Sequence, residues 1–332
     1  MNVRGIRSAT KRKALFMWLK EQKPDIIFLQ ETYSTAEVED IWRTQWQGKL
    51  FFSHGTCHRC GVMVLVRGDL DFNLISIRTD DEGRYIVLEA EVQGANFLLV
   101  NVYVPNKVQE QCRFIENLNS TIDDVIKDNE PKLVVGGDFN VTLESDLDCS
   151  GGNPAQKASV KSIQDLCLDF DLVDIWRIRN PTTRRFTWRQ RNPFIQTRLD
   201  FWLISDVCQE DIEGTDIIPS INSDHSAIIL HFNNIDRQKH GPSFWKFNTS
   251  LLNDENFVLL INQSVPLWLD EFKEVIDKRV LWDLIKYRIR QVTINYSKEK
   301  ARQRRQKISD IENSRKVLEE KCGNNPTTEN IE

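Results

Sequence analysis

Apolar runs of strand length alternate with amphipathic helical patterns through residues 1–233, and polar faces on the strands are scarce. A strand that is apolar on both faces must be covered from both sides. Two β-sheets packed face to face, with helices outside them, meet that requirement. The pattern therefore predicts an α/β sandwich. The strand-like runs cover residues 25–30, 61–67, 84–92, 96–105, 132–136 and 227–232, and the helical stripes cover residues 11–22, 114–126 and 160–170.

The composition of the chain changes after about residue 233, where this alternation ends. Residues 233–242 are polar and contain Gly241-Pro242, which is typical of a linker. Only helical patterns follow, and residues 286–307 hold nine lysines and arginines against one glutamate. We therefore predict a domain at 1–233 and a linker with a basic helical extension at 234–332. The basic helix either binds the phosphates of RNA or DNA or is the solvated face of a helix.

Net charge and cysteine content indicate the cellular compartment and the kinds of partner to expect. The net charge of −5 weighs against a protein coated with nucleic acid over its whole surface, but it permits a local basic face. Seven cysteines without framework spacing favour a reducing compartment. The sequence contains neither a signal peptide nor a run of 18 apolar residues. We therefore expect an intracellular protein that is not secreted and has no membrane partner.

Polar side chains follow several of the apolar runs, at the points where the strands should end. Ends of buried strands can present rigid polar groups to a cleft. Each residue alone has an ordinary structural explanation, since a strand-end glutamate is usually solvated and Gly-Gly-Asp is usually a turn. The set is more informative, because it combines carboxylates, asparagines, one tyrosine and one histidine. Its members are Asn2, Glu31, Tyr103, Asn106, Asp138, Asn140, Asp200, Asp224 and His225.

These residue types match what the hydrolysis of a phosphodiester needs. Magnesium takes one or two carboxylates and keeps several waters, and Glu31 could supply such a ligand. Asp138 and Asn140 could orient an attacking water, because strand residues two positions apart point to the same side. Asp200 could orient His225, whose imidazole would then donate to a developing oxyanion.

Six blocks resemble, in content and in order, those of the exonuclease–endonuclease–phosphatase superfamily. Within it the chain looks most like the apurinic-type endonuclease domain of LINE (non-LTR) retrotransposon polyproteins. The resemblance covers residues 1–232 nearly continuously. The blocks read Asn2-Val3-Arg4-Gly5, Leu29-Gln30-Glu31-Thr32, Asn101-Val102-Tyr103-Val104-Pro105-Asn106, Gly137-Asp138-Phe139-Asn140, Arg198-Leu199-Asp200-Phe201 and Ser223-Asp224-His225-Ser226.

The resemblance implies a fold and a cofactor. The fold would be a four-layered sandwich of two mixed β-sheets flanked by helices, followed here by the C-terminal helical extension. The cofactor would be Mg²⁺, with Mn²⁺ as an alternative. Glu31 would bind the metal, and Asp224 would assist either the metal or the histidine. The strand that precedes the Asn2 block in the family is absent here, so we expect the neighbours of Asn2 to be exposed.

The resemblance also implies roles for the remaining residues. Asp138 would position or activate the attacking water, supported by Asn140. His225 with Asp200 would stabilise the pentacovalent phosphate, although the general base could be either Asp138 or His225. Three residues would contact the scissile phosphate, namely Tyr103, Asn2 and Asn106.

Arginines surround the Asn192-Pro193 dipeptide, which predicts the turn of a β-hairpin. In the endonucleases that this chain resembles, the hairpin reaches the minor groove of DNA. Arginine favours narrow, A·T-rich minor grooves, so we predict that this hairpin binds DNA. The alternative is a solvated basic hairpin. The predicted DNA-contacting arginines are Arg189, Arg191 and Arg198.

The predicted function is a metal-dependent DNA endonuclease that nicks the target site of a LINE-type retrotransposon. Such a protein would act in the nucleus, or lie in the cytoplasm before import. No reverse transcriptase domain is recognised in these 332 residues, so the chain alone would nick DNA but not copy RNA. One alternative is a phosphatase or small-molecule phosphodiesterase of the same fold. Another is an inactive or domesticated remnant that binds nucleic acid.

Overall fold

Every predicted strand-like run and helical stripe of residues 1–232 forms the expected element in the computed structural model, which describes residues 1–126, 131–152, 155–232 and 247–324. The helices are α1 (Ala9–Gln22), α2 (Glu39–Gln45), α3 (Val108–Ile126), α4 (Ser145–Asp148), α5 (Lys157–Asp169), α6 (Ile175–Arg179), α7 (Glu255–Glu271) and α8 (Lys278–Asn324). The strands are β1 (Ile26–Leu29), β2 (Gly48–Ser53), β3 (Val62–Arg67), β4 (Phe72–Thr79), β5 (Tyr85–Val92), β6 (Ala95–Tyr103), β7 (Lys132–Asp138), β8 (Cys149–Ser150), β9 (Leu172–Asp174), β10 (Trp188–Gln190), β11 (Ile195–Thr197), β12 (Asp200–Ser205), β13 (Ile212–Ile218) and β14 (Ala227–Phe232).

Two main sheets organise the N-terminal part. The larger one has six strands in the order β4-β5-β6-β7-β12-β9, and it is mixed because β6 and β7 are parallel whereas the other pairs are antiparallel. The smaller one has the order β1-β3-β2, and the backbone around Asn2 pairs in parallel with the end of β1. Two further short sheets are β10-β11-β8 and β13-β14.

Side-chain alternation along the strands builds four layers. Val64 of β3 packs between the two main sheets, whereas Met63 and Leu65 face the opposite way, toward α1 and α2. Along β6, Leu99 faces the space between the sheets and Leu98 packs under α3 and α5. The order is therefore helices, sheet, sheet, helices, as the period-two pattern of a doubly covered strand requires. The predicted α/β sandwich with flanking helices is confirmed.

The start of the chain differs from the expectation of exposed neighbours around Asn2. Met1 is 7% exposed and Asn2 is 1% exposed. The backbone N–H of Val3 donates to the carbonyl of Gln30 (2.9 Å), and the N–H of Gln30 donates to the carbonyl of Met1 (3.1 Å). These bonds cover the edge of β1, so the expectation was wrong for this edge.

The chain divides into two compact units, one formed by Met1–Asp236 with Arg315–Glu332 and the other by Arg237–Ser314. In the second unit, Phe257 is 2% exposed and stacks near Tyr296, whose hydroxyl donates to the Asp254 carboxylate (3.0 Å). Residues 286–307 lie within α8. The predicted linker at 233–242, and with it the boundary at 233, lies outside the described residues. Among the described residues, no helix is both long and apolar enough to cross a lipid bilayer.

Candidate active site

Strand register brings three of the predicted residues together at one end of the six-stranded sheet, where β6 and β7 end and β12 begins. Asp138 ends β7, where it is paired with Asp200 of β12 on one side and with Tyr103 of β6 on the other. Directly opposed residues of neighbouring strands point to the same face. Gly137 makes the close approach of β6 and β7 possible, because a Cβ at that position would clash with the carbonyl oxygen of Val102.

His225 lies between two carboxylates in a buried group. Its Nδ1 is 2.9 Å from Asp200 Oδ2, and its Nε2 is 3.8 Å from Asp138 Oδ2. His225 is 6% exposed, and both aspartates are 1% exposed. Burial alone would lower the pKa of His225, but the negative charges of Asp200 and Asp138 outweigh it and raise that pKa above its ordinary value. Burial also raises the pKa of Asp138. This group can hold or move a proton near neutral pH.

Glu31 accepts hydrogen bonds from three side chains. Its Oε1 accepts from Asn2 Nδ2 (2.9 Å) and from the Tyr103 hydroxyl (2.7 Å), and its Oε2 accepts from the Tyr33 hydroxyl (3.1 Å). The amide of Asn2 also donates to Asp138 Oδ2 at 2.9 Å. Asn2 therefore links the Glu31 cluster to Asp138, which lies beside His225.

Tyr33 also hydrogen-bonds Glu31, although the sequence analysis did not identify it as a candidate site residue. Burial raises the pKa of Tyr33 to about 12, and the charge of Glu31 adds to the effect. Burial and Glu31 raise the pKa of Tyr103 as well. Both phenols therefore stay protonated and act as donors. The signal in the sequence was the tyrosine two residues after Glu31, and its ring lies so close to Gly5 that a Cβ at that position would clash with it.

The side chain of Asn140 is oriented by hydrogen bonds and not, as predicted, by the alternation of side chains along a strand. The strand ends at Asp138, and Asn140 has a φ of 50°, so strand alternation does not orient its side chain. Instead its backbone N–H donates to Asp138 Oδ1 (3.0 Å), and its Nδ2 donates to the Val104 carbonyl (2.8 Å) and to Asn106 Oδ1 (2.9 Å). Asn106 also accepts from the Tyr103 hydroxyl (3.3 Å). Asn140 and Asn106 therefore brace Asp138 and Tyr103.

Asp224 is bound by two residues that the sequence analysis did not select. Its Oδ2 accepts from Arg4 Nη1 (2.9 Å) and from the Trp188 indole N–H (3.1 Å). Its Oδ1 is buried and has no hydrogen-bond partner among the described residues. Arg4 follows Asn2 by two residues, and this proximity was the available signal.

The donor set fits a hard divalent cation. Glu31 is a partly exposed carboxylate whose two oxygens are held in place by three side-chain donors. Oxygen ligands of this kind suit Mg²⁺, which keeps several of its waters. The oxygen or nitrogen atoms of Asp138, Asp200 and His225 lie within 4.8 Å of one another and could also hold a metal ion.

A hairpin with basic residues stands beside the site. Strands β10 and β11 pair around the turn that contains Asn192-Pro193, as predicted. Arg191 and the turn are exposed, whereas Arg189 is bound to Gln196 Oε1 (3.1 Å) and lies 3.5 Å from Glu319. A cleft of about 810 Å³, which we call the basic cleft, runs next to the hairpin. Its charged lining residues are Arg4, Lys11, Arg189, Arg191, Asp224, Arg315 and Glu319.

Arg198 does not belong to this surface, and the prediction that it contacts DNA was wrong. It is 1% exposed. Its Nε and Nη2 donate to the two oxygens of Asp148 (2.7 and 2.8 Å), and its Nη1 lies 2.7 Å from Asp174. Its guanidinium also stacks on Phe201, 4.6 Å from the ring centroid. This bidentate ion pair joins the segment before β12 to Asp148 at the end of α4.

We expect Arg198→Ala to destabilise the fold strongly. Breaking a buried ion pair leaves an uncompensated charge and costs about 3–5 kcal/mol. Arg177 also contacts Asp148, so the loss should fall at the lower end, about 3 kcal/mol. Urea denaturation measures it. Arg191→Ala is the control and should change the free energy of unfolding by less than about 0.5 kcal/mol. Equal stability of the two variants would contradict the structural role of Arg198.

Comparison with known proteins adds independent information. The Transposon TX1 uncharacterized 149 kDa protein of Xenopus laevis is 30% identical over 314 residues, which cover 94% of this chain and 24% of that protein. The chain thus spans about a quarter of that relative's length. An exodeoxyribonuclease of Bacillus subtilis is 25% identical over 261 residues, covering 70% of this chain and 97% of the relative.

A solved structure shows the same fold. The AP endonuclease LMAP from Leishmania major superposes with a TM-score of 0.62 at 17% identity, covering 70% of this chain and 86% of that chain. Residues 1–225 match the Endonuclease/Exonuclease/phosphatase family. The superfamily resemblance and the similarity to a transposon protein are therefore confirmed. The chain belongs to the Endonuclease/Exonuclease/phosphatase family.

Proposed function

We propose that this chain is a Mg²⁺-dependent endonuclease that hydrolyses phosphodiester bonds of DNA. The observation that carries the proposal is the single amide of Asn2, which donates at 2.9 Å both to Glu31 and to Asp138. The amide of Asn2 thus connects Glu31, a carboxylate suited to binding a metal ion, with Asp138, a carboxylate suited to orienting a water molecule. Hydrolysis of a phosphodiester needs a metal-binding group and a water-orienting group that are close enough to act on the same phosphate.

Asp138 and His225 have separate roles at the scissile phosphate. Asp138, held by Asn2 and by the N–H of Asn140, orients the attacking water and can take its proton, because burial raises the pKa of its carboxyl group. His225, oriented by Asp200, presents Nε2 to the phosphate oxygen on which charge develops.

A metal ion and a phenol complete the arrangement. Mg²⁺ held at Glu31 would stabilise the negative charge of the phosphate and the leaving group. The Tyr103 hydroxyl, which hydrogen-bonds Glu31, remains a donor because its pKa is raised. With Asn2 it supports the geometry of Glu31, and Mn²⁺ is the alternative ion for such an oxygen site.

DNA is the substrate that the relatives favour. The Bacillus subtilis relative is named an exodeoxyribonuclease, and the structural neighbour is named an AP endonuclease. The transposon relative supports a role in cutting the target site of an element, which would bring the protein to nuclear DNA. RNA is a further proposed partner, through the nine basic residues at 286–307 of α8.

Supercoiled plasmid tests the proposal directly. The protein should convert it to the open-circular form with Mg²⁺, should do so with Mn²⁺, and should be inactive in EDTA. Asp138→Asn serves as the matched inactive control, because it keeps the shape of the buried side chain. Release of phosphate from a 3′-phosphorylated oligonucleotide, without plasmid nicking, would favour a phosphatase instead. Absence of both reactions in folded protein would favour a binding remnant.

Arg191 should contribute to DNA binding through one phosphate. It is exposed at the hairpin turn and lines the basic cleft. Each phosphate contact adds about 0.9 to the slope of log Kobs against log salt concentration. We expect Arg191→Ala to lower that slope by about one unit. Arg113→Ala, on the outer helix α3, is the control and should not change it. Equal slopes for all three proteins would remove Arg191 from the DNA interface.

A further inference from the structure

Arg4 is the ion-pair partner of Asp224, and the residue that follows it, Gly5, is bound by its backbone to Glu31. Its guanidinium donates to Asp224 Oδ2 at 2.9 Å. Arg4 therefore supplies a positive charge directly to Asp224.

The backbone holds Arg4 in this position. Its own N–H donates to Asn2 Oδ1 (3.0 Å), and the next N–H, that of Gly5, donates to the Glu31 carbonyl (2.7 Å). Its carbonyl accepts from Lys11 Nζ (3.0 Å). Its φ of 45° lies in the left-handed region, which a side-chain-bearing residue adopts only when its surroundings require it. The placement of this guanidinium is thus a property of the folded site.

The charges suggest what this placement does. An arginine side chain carries a permanent positive charge. Asp224 has one oxygen bound to Arg4 and Trp188 and the other buried without a partner among the described residues. Without Arg4, Asp224 would lose its ion-pair partner and keep only the Trp188 indole N–H as a donor among the described residues. Carboxylate oxygens in that state attract a hard divalent cation.

We propose that Arg4 is the resident cation of the site: it neutralises Asp224 and keeps that carboxylate from binding a metal ion, so that metal is held at Glu31 alone. The inference rests on the proposed function for its biological meaning. It concerns metal occupancy, however, which can be measured without DNA. Arg4 is a positioning residue in this scheme, because it acts on the metal through Asp224.

Mn²⁺ alone, titrated into the full-length protein without DNA, tests the proposal by the paramagnetic resonance signal of the free ion. The parental protein should bind one ion. Arg4→Ala should bind a second ion, or bind the first at least about tenfold more tightly, which corresponds to about 1.4 kcal/mol. Arg4→Ala combined with Asp224→Asn should return to the parental isotherm, since the released carboxylate is gone. Arg4→Lys should also resemble the parent because it keeps the charge.

Arg78→Ala removes an exposed arginine on β4 and is the matched control, with an unchanged isotherm. An Arg4→Ala isotherm that equals the parental one, in protein folded by circular dichroism, would overturn the inference. So would a gain of binding that persists after Asp224→Asn. Plasmid nicking is scored separately, so an inactive protein with the expected isotherms would refute the endonuclease proposal and leave the role of Arg4 intact.

Discussion

Glu31→Gln is expected to abolish metal-dependent nicking of plasmid DNA while leaving the fold unchanged. Glutamine keeps the shape of the side chain and can still accept bonds from Asn2 and Tyr103, but it lacks the charge that a hard cation requires. The measurement is the nicking rate across a Mg²⁺ titration, with Mn²⁺ binding as a second readout.

Glu37→Gln is the matched control, since Glu37 is exposed on the 3-10 turn that follows the same segment. It should nick at the parental rate. A Glu31→Gln protein that nicks as fast as the parent in limiting Mg²⁺ would show that another residue binds the metal. The Asp138, Asp200 and His225 group would then be the next candidate, because its ligand atoms lie within 4.8 Å of one another.

His225→Ala is expected to lower the turnover number by more than about 100-fold, the scale of losing one preorganised donor to an oxyanion. DNA affinity should change little, because the bond matters mainly in the transition state. Single-turnover kinetics separates the two quantities. His231→Ala is the control, since His231 is exposed on β14. A large loss of affinity at unchanged turnover would contradict the role given to His225.

The pH profile of the same reaction tests the pairing with Asp200. The carboxylates raise the pKa of His225, so its protonated form persists to higher pH than that of a free histidine. Asp200→Asn removes the largest raising influence, and the alkaline limb of the turnover profile should therefore move to lower pH. A limb that does not move would separate His225 from the titration that limits the reaction.

The sequence by itself determined the layers and the order of the site blocks. Runs that are apolar on both faces require cover on both sides, and this physical demand predicted β1, β3, β5, β6 and β7 within one or two residues. Strand ends were equally predictable, because a polar residue directly after a buried run must lie at a sheet edge. Asp138, which follows the run at 132–136, falls at such an end.

Tertiary structure decided which charged residues face the substrate and which are internal. Arg198 and Arg191 are seven positions apart and look alike in the sequence, yet one is buried and the other is exposed. The difference comes from Asp148, which lies 50 residues away from Arg198 in the chain. An arginine can be buried only where a counter-charge is present. The local sequence pattern shows periodicity, but it does not show whether a residue distant in the chain supplies that counter-charge.

The same reason explains the contacts that only the folded chain reveals. Asn2 and Asp138 are 136 residues apart, and Arg4 and Asp224 are 220 apart, so no spacing rule links them. The packing of the two main sheets sets the first contact, because Asn2 pairs with the end of β1 in one sheet and Asp138 ends β7 in the other. The left-handed backbone of Arg4 sets the second. Residue types defined the possible chemistry, and long-range hydrogen bonds selected which residues share one site.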